Sequence, residues 1–453
     1  MKSIIKKQQI EAITQKLSDY FLAADEIAYQ TKFVQRKSPF TGSVFLKAVV
    51  FGFLQKPRAS LTQLAQQSLL LGVKITPQGI HERINQSAVD FMRGMFLRAF
   101  AQFKNGVSLP LAILQQFSAI YLVDSTFKSL PANMAALYPG SGGKASPASL
   151  KVQLVFEFLQ GNLTQLCIEA GRKADQAYTQ YLAVIQTGAL ILADLGYFCL
   201  ASLRTIAAKG AYFLMRYHYM TAVFLPNGER IDLVSLLTTQ GQTLLDLSVR
   251  LGASPNTRLA CRLISTPVPS AVAEERRRKA KLTSAAHGKT PSEPYLVLLG
   301  WSIFLTNTPQ TMLSASQVIL FYRIRWQIEL IFKFWKSYCG LADIPATRPE
   351  RVLTEFYAKL LVAVVANFLI APVRIPEATW SEHELSPFQF QNVLSTFAQR
   401  LMLVLSSPLR LRQIIHNLYL ATQYFGFKQK RRKKPNICAL LAALSIPSLS
   451  TSA

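Results

Sequence analysis

The stretch SAIYLVDST, Ser118 to Thr126, decides the fold class. Its apolar run is rich in β-forming types and stops at Asp124, the pattern of a short buried strand. A second run, ALILA at Ala189–Ala193, also stops at an aspartate, Asp194. Between them LKVQLVFEFL (Leu150–Leu159) alternates, Gln160-Gly161-Asn162 makes a turn, and a partner strand runs from Leu163 to Ala170. That is a predicted β-hairpin. Helices over about 176–186 and 198–209 and a strand AYFLMR (Ala211–Arg216) follow, giving a mixed α/β sheet with helices on its faces.

On the N-terminal side the pattern is helical. SVFLKAVVFGFL (Ser43–Leu54) is continuously apolar without strand alternation. A helix starting near Leu61 should end at Gly72, and Thr76 before Pro77 suits an N-cap followed by the first helical position. Two helices joined by a short Gly-containing turn outline a helix-turn-helix, and equally an ordinary helical hairpin.

Beyond Arg216 the rhythm breaks into short strand-like pieces, Leu259–Ser265 and Tyr295–Thr306, around a loop rich in Arg, Lys, Ser and Ala. The run ERRRKAK (Glu275–Lys281) reads as a solvated helix or loop, with polyanion contact as the alternative. Helix resumes from about Ser314 through Cys339 and dominates the remainder, which carries a basic segment, KQKRRKKP (Lys428–Pro435).

Composition sets the chemistry. The 453 residues hold 50 Lys+Arg against 24 Asp+Glu, a net charge of +26, and half are hydrophobic. General disorder is excluded, and the charge points to a polyanion, nucleic acid or an anionic membrane surface. The longest apolar run, Leu360–Val373, is about 14 residues against the roughly 20 of a bilayer span, so a buried core helix is expected. The opening MKSIIKKQQIEAITQK has no signal-peptide core. Five scattered cysteines without a CxxC pair suit reduced thiols in a cytoplasm, and five dispersed histidines argue against histidine-based metal or nucleophilic chemistry.

With so few acids, those at special places matter. In FYRIRWQIELIFKFWKSYCG, Tyr322, Arg325, Glu329 and Lys336 fall within an arc of about 60° on a helix of roughly 100° per residue. One narrow polar stripe thus runs along a helix otherwise built of Trp326, Ile328, Leu330, Ile331, Phe332, Phe334 and Trp335. An Arg325–Glu329 ion pair would account for part of it. Asp124 and Asp194 would project from strand ends, where open α/β sheets place their sites, though each could also serve a turn or cap. Three carboxylates meeting at one point would hold two Mg²⁺ ions, with Mn²⁺ as a substitute, for in-line phosphoryl transfer.

The spacing Tyr322-x2-Arg325-x3-Glu329-x6-Lys336 resembles the YREK signature of bacterial DDE transposases of the insertion-sequence-four family. IYLVDST resembles that family's first catalytic motif, ADLGYF (Ala193–Phe198) the second, and WSIFLTNTP from Trp301 the strand leading back into the core. The resemblance implies a ribonuclease-H-like core interrupted by a mostly β insertion and flanked by helical regions. It implies a helical DNA-binding region at 1–110, the core at 111–216 and 311–345, the insertion at 217–310, and a C-terminal helical region with a basic tail at 346–453. Asp124, Asp194 and Glu329 would be the metal-binding catalytic triad. Tyr322, Arg325 and Lys336 would grip DNA phosphates, Trp301 would stack on an extruded base unless it is a core tryptophan, and Arg216 would lie near the DNA end. Leu195 stands where many relatives carry arginine, a departure that bears on a local DNA contact and not on the metal site.

The implied function is cut-and-paste DNA transposition, through a hairpin, by a homodimer on paired ends. Its partners would be terminal inverted repeats and target DNA, in the bacterial cytoplasm at the nucleoid, with no membrane and no small-molecule substrate. A non-catalytic DNA-binding regulator or an inactive domesticated transposase is the alternative, and a membrane-surface protein rests on charge alone.

Overall fold

Local side-chain chemistry sets the helices at the N-terminal end: α1 (Lys7–Leu22), α2 (Ala24–Gln30), α3 (Gly42–Gln55), α4 (Leu61–Leu70), α5 (Pro77–Arg83) and α6 (Gln86–Gln102). The computed structural model describes residues 5–106, 108–142, 146–239, 241, 243–377, 385–428 and 437–444. Ser60 and Gln63 form a capping box on α4. Gly72, at φ +81°, takes the left-handed conformation that ends it. The Thr76 hydroxyl accepts from the Gly79 amide at 3.0 Å, with Pro77 opening α5. The two-helix outline expected from sequence is therefore present. A Cβ on Gly52 would lie 2.6 Å from Leu64 Cδ2, so α3 and α4 approach too closely there for any larger residue.

These helices belong to the first of two units, Met1–Ala112, Ser125–Lys173 and Glu329–Ile446. Helix α7 (Ala112–Gln115) leads into the second, which comprises Ile113–Asp124 and Ala174–Ile328. Strand β1 (Ile120–Leu130) contributes to both. It runs past the predicted end at Val123, so Asp124 lies within the strand and not in a turn.

In the first unit, β2 (Ala148–Glu157) and β3 (Asn162–Ala170) form the predicted antiparallel hairpin, with Glu157 opposite Asn162. Every residue of β2 is buried, polar ones included, although its alternation suggests one wet face. Lys151 stacks its ammonium 4.8 Å over the Phe127 ring, and the Glu157 carboxylate accepts from the Leu159 and Gln160 amides.

The second unit carries β4 (Leu190–Ala193), α8 (Leu200–Ala208), β5 (Tyr212–Arg216), β6 (Val223–Phe224), α9 (Leu233–Thr239), β7 (Leu245–Leu251) and β8 (Leu259–Pro267). Then follow α10 (Ser270–Ala285), α11 (Glu293–Leu298), β9 (Trp301–Thr306), α12 (Ala315–Tyr322) and the start of α13 (Trp326–Ser337). β1, β4 and β5 are parallel neighbours, and β9, β8, β7 and β6 continue the sheet antiparallel. The hydrogen-bonded order is β3-β2-β1-β4-β5-β9-β8-β7-β6. The mixed α/β class with helical flanks is thus the one expected.

Three local expectations change. The helix expected over 176–186 is two 3-10 turns, Asp175–Ala177 and Gln180–Val184, held where the buried Tyr178 and Tyr181 rings pack 6.0 Å apart. The insertion expected to be mostly β holds α9, α10 and α11 beside its strands. The ERRRKAK run lies in α10, whose Glu275 pairs with Arg278 and Lys279 at i+3 and i+4, and Pro294 opens α11 where a strand was expected. The helix expected over 314–339 is broken by a 3-10 turn, Arg323–Arg325.

The first unit closes with the rest of α13 and with α14 (Pro349–Glu377), α15 (Pro387–Val404), α16 (Pro408–Phe425) and α17 (Ile437–Leu444). Pro349–Arg374 is long and apolar enough to cross a membrane, but its apolar window is wholly buried in the protein, as expected of a core helix. Of the basic segment Lys428–Pro435, all but Lys428 lies outside the described residues.

Candidate active site

Register places the two aspartates side by side. β1 and β4 pair in parallel with Val123 opposite Ala193, so Asp124 and Asp194 each follow the last paired residue of neighbouring strands. Their apolar predecessors, Leu122, Val123, Leu192 and Ala193, are all buried and fix that end of the sheet. Asp194 occupies the N-cap position of a 3-10 turn, Leu195–Tyr197, but its side chain makes no capping hydrogen bond. A cap does not account for it. The glycine of the second motif has its own reason: a Cβ on Gly196 would lie 3.2 Å from the Asp175 carboxylate.

The break after α12 brings cations to this end. The 3-10 turn packs against β4. Arg325 Nη1 lies 3.8 Å from Asp124 Oδ2, with both side chains largely buried (13% and 18% exposed). Tyr322 is buried, its ring packed 5.0 Å from that of Phe304 on β9. The guanidinium groups of Arg216 and Arg325 lie 5.5 and 5.7 Å from the Tyr322 ring centre. Burial raises the Tyr322 pKa above its ordinary value; Arg325 and Arg216 oppose the rise and Asp194 adds to it. The phenol therefore stays an O–H donor at neutral pH, suited to a phosphate oxygen.

Of the residues picked out in the sequence, Asp124, Asp194, Tyr322, Arg325 and Arg216 are thus together at one end of the second unit's sheet. Trp301, half-buried, begins β9 opposite Pro267. Glu329 and Lys336 stand in the first and last turns of α13 and belong to the first unit. The single-helix arc drawn for these four polar residues does not hold as drawn, because the 3-10 turn changes the angle per residue between Tyr322 and Trp326. Nor are all its neighbours buried: Trp326 is 54% and Leu330 41% exposed.

Two aspartates at equal height on adjacent parallel strands are hard oxygen donors of the kind Mg²⁺ prefers. Among the described residues no three acidic, histidine or cysteine side chains are grouped as a metal site.

One inward-turned cation near Trp301 escaped the sequence reading. Arg276 of α10 donates to the Trp301 carbonyl at 3.0 Å and to the Ser302 hydroxyl at 3.3 Å. Arg277 donates to the Leu296 carbonyl at 3.0 Å. Two arginines of the supposedly solvated run are turned inward onto the approach to β9.

Two level aspartates with a buried arginine and tyrosine beside them, at one end of an α/β sheet, are side chains of the kind that phosphoryl transfer uses. Residues 115–365 match a family model described as "Transposase DDE domain", more than half of the chain, and the chain belongs to that family. It is 27% identical to the transposase for insertion sequence element IS231B of Bacillus thuringiensis subsp. berliner, over 96% of this chain and 95% of that one. With the transposase for IS1151 of Clostridium perfringens it shares 26% identity, over 94% of each. A solved structure, a piggyBac transposase synaptic complex with hairpin DNA, aligns over 99% of this chain and 87% of that one. Its TM-score is 0.47 and its identity 11%, too slight a likeness to bear on mechanism. Family membership brings DNA transposition as the activity, DNA as the substrate and divalent metal ions as the usual cofactor.

Proposed function

We propose that the chain is the transposase of an insertion sequence, cutting DNA at the element's terminal inverted repeats and joining the freed ends to target DNA. Asp124, Asp194 and Glu329 serve as the metal-binding catalytic triad for two Mg²⁺ ions, with Mn²⁺ able to replace them. Bound there, the ions would activate water or a 3′ hydroxyl and stabilise the leaving oxygen. Arg325, beside Asp124, acts with Lys336 to neutralise the phosphate under attack; Tyr322 donates its hydroxyl to a phosphate oxygen. Trp301 stacks on an extruded base and Arg216 holds the backbone near the cut. Water breaks the first strand to leave a 3′ hydroxyl, which attacks the opposite strand to form a hairpin. The hairpin is reopened by water, and the same 3′ hydroxyl then attacks target DNA. The active form is a homodimer on paired ends, acting at the nucleoid in the cytoplasm.

The observation that carries this reading is the register pairing of Asp124 and Asp194 with Arg325 against the first of them. The hairpin rests on the resemblance of Tyr322-Arg325-Glu329-Lys336 to the YREK signature. The test incubates DNA flanking the gene with the purified protein, with and without Mg²⁺, beside Glu329→Gln. Mg²⁺-dependent breaks at an inverted repeat, lost in the variant, are expected. Tight binding without breaks would replace this reading by that of an inactive or regulatory DNA-binding protein.

A further inference from the structure

Arg276 and Arg216 come from different elements, α10 and β5, yet converge on one face of the sheet. Arg216 pairs directly with Phe304 across β5 and β9. Directly opposed residues share a face, and so do residues two apart on one strand. Phe304 and Ser302 therefore lie on the Arg216 side, and the Ser302 hydroxyl is what Arg276 Nη2 reaches. Tyr322 packs on Phe304 on that same side, with the Arg216 guanidinium over its ring.

The two cations are held, not neutralised. Arg276 is anchored by neutral acceptors, the carbonyls of Trp301 at 3.0 Å and Leu299 at 3.5 Å and the Ser302 hydroxyl. Among the described residues no ion pair joins either Arg216 or Arg276 to a carboxylate. The next arginine, Arg278, is paired with Glu275 at 2.8 Å. Burial first, and then the charge of Arg216, hold the Arg276 guanidinium below its ordinary pKa. Two like charges kept close without a counter-ion repel one another, and an anion between them removes the repulsion and supplies forked acceptors.

We propose that Arg276 and Arg216 together bind a single phosphate of the DNA backbone, with Arg276 fixed in advance through Trp301 and Ser302. The insertion thereby contributes a phosphate contact beside the active site, and α10 ties that contact to the position of Trp301. This rests on the reading of the chain as a DNA-cutting enzyme, but it concerns binding and is tested by binding.

The salt dependence of affinity counts phosphate contacts, at a slope of about 0.9 per contact for duplex DNA. Affinity for a duplex carrying the terminal repeat is measured from low to moderate salt, without Mg²⁺, for the native chain and for Arg276→Gln, Arg216→Gln, the double variant and Arg278→Gln. Each of the first two should lower the slope by about 0.9, and the double variant by no more than either alone, since one phosphate is shared. Arg278→Gln removes the same charge and should leave the slope unchanged. Unchanged slopes for Arg276→Gln, or an equal loss for Arg278→Gln, would overturn the proposal. Should Arg276→Gln misfold, the native chain is treated with an arginine-selective dicarbonyl reagent with and without the duplex and mapped by mass spectrometry. Protection of Arg276 and Arg216 but not Arg278 supports the shared phosphate; equal labelling of Arg276 in both samples overturns it. Mg²⁺-dependent cutting, measured separately, decides the catalytic reading, so the two can fail independently.

Discussion

The α4–α5 hairpin and the turn between α12 and α13 both present polar side chains from short helices, but they hold them in opposite ways. In the hairpin the polar groups bond to their own neighbours: Ser60 with Gln63, Thr76 with Gly79, Gln78 with Glu82, all within four residues and mostly exposed. At Tyr322 and Arg325 the partners come from distant strands, Asp124 on β1, Phe304 on β9 and Arg216 on β5, and the side chains are largely buried. The first arrangement is a solvated surface that can adapt to a backbone. The second is fixed by packing across the sheet, the pre-organisation that the proposed chemistry requires. Substitutions in the two regions should therefore fail differently, one in affinity and the other in rate.

The largest effect belongs to the paired aspartates. Asp194→Asn keeps shape and removes charge, so single-turnover cleavage of end DNA should fall about 10³-fold or more while binding persists. Loss of binding in step with cleavage would blur the contrast between the regions. Next comes Arg325→Ala. It removes the guanidinium 3.8 Å from Asp124 in a mostly buried setting, and a drop in cleavage rate of about 10²-fold is expected, as for a misplaced reacting group. Arg325→Lys should restore only part, since an ammonium lacks the planar fork; full recovery would mean that charge alone matters there.

The difference between the regions also separates what sequence could disclose from what it could not. Caps are written beside the helices they close, so Gly72, Thr76 and Pro77 were readable at once. The aspartates were readable because the apolar runs end on them, and register then put them level. The break at Arg323–Arg325 has no glycine or proline to announce it. It coincides with the reach of Arg325 to a strand two hundred residues earlier in the chain, which no local pattern encodes. Arg276 lies between these cases. Ala273, Arg276, Arg277 and Ala280 recur at i, i+3, i+4 and i+7, and all four are buried or half-buried. Two alanines at stripe spacing flanked the arginines that turn inward, a signal masked by the uniform charge around them.

Two smaller predictions probe the hairpin from the other direction. Lys74, exposed in the turn between α4 and α5, should behave as a backbone contact if the hairpin meets DNA. Lys74→Gln should then lower the salt slope of binding by about 0.9 and leave the cleavage rate at saturating protein unchanged. An unaltered slope would reduce the hairpin to scaffolding. Thr76→Ala removes the cap on α5 and should cost about 1 kcal/mol of stability in denaturant unfolding. Because the cap is local, Mg²⁺-dependent cleavage by the folded variant should match that of the native chain. A fall in cleavage rate beyond what the unfolded fraction explains would show the hairpin to be coupled to the chemistry, and the contrast between a surface that binds and a site that reacts would no longer hold.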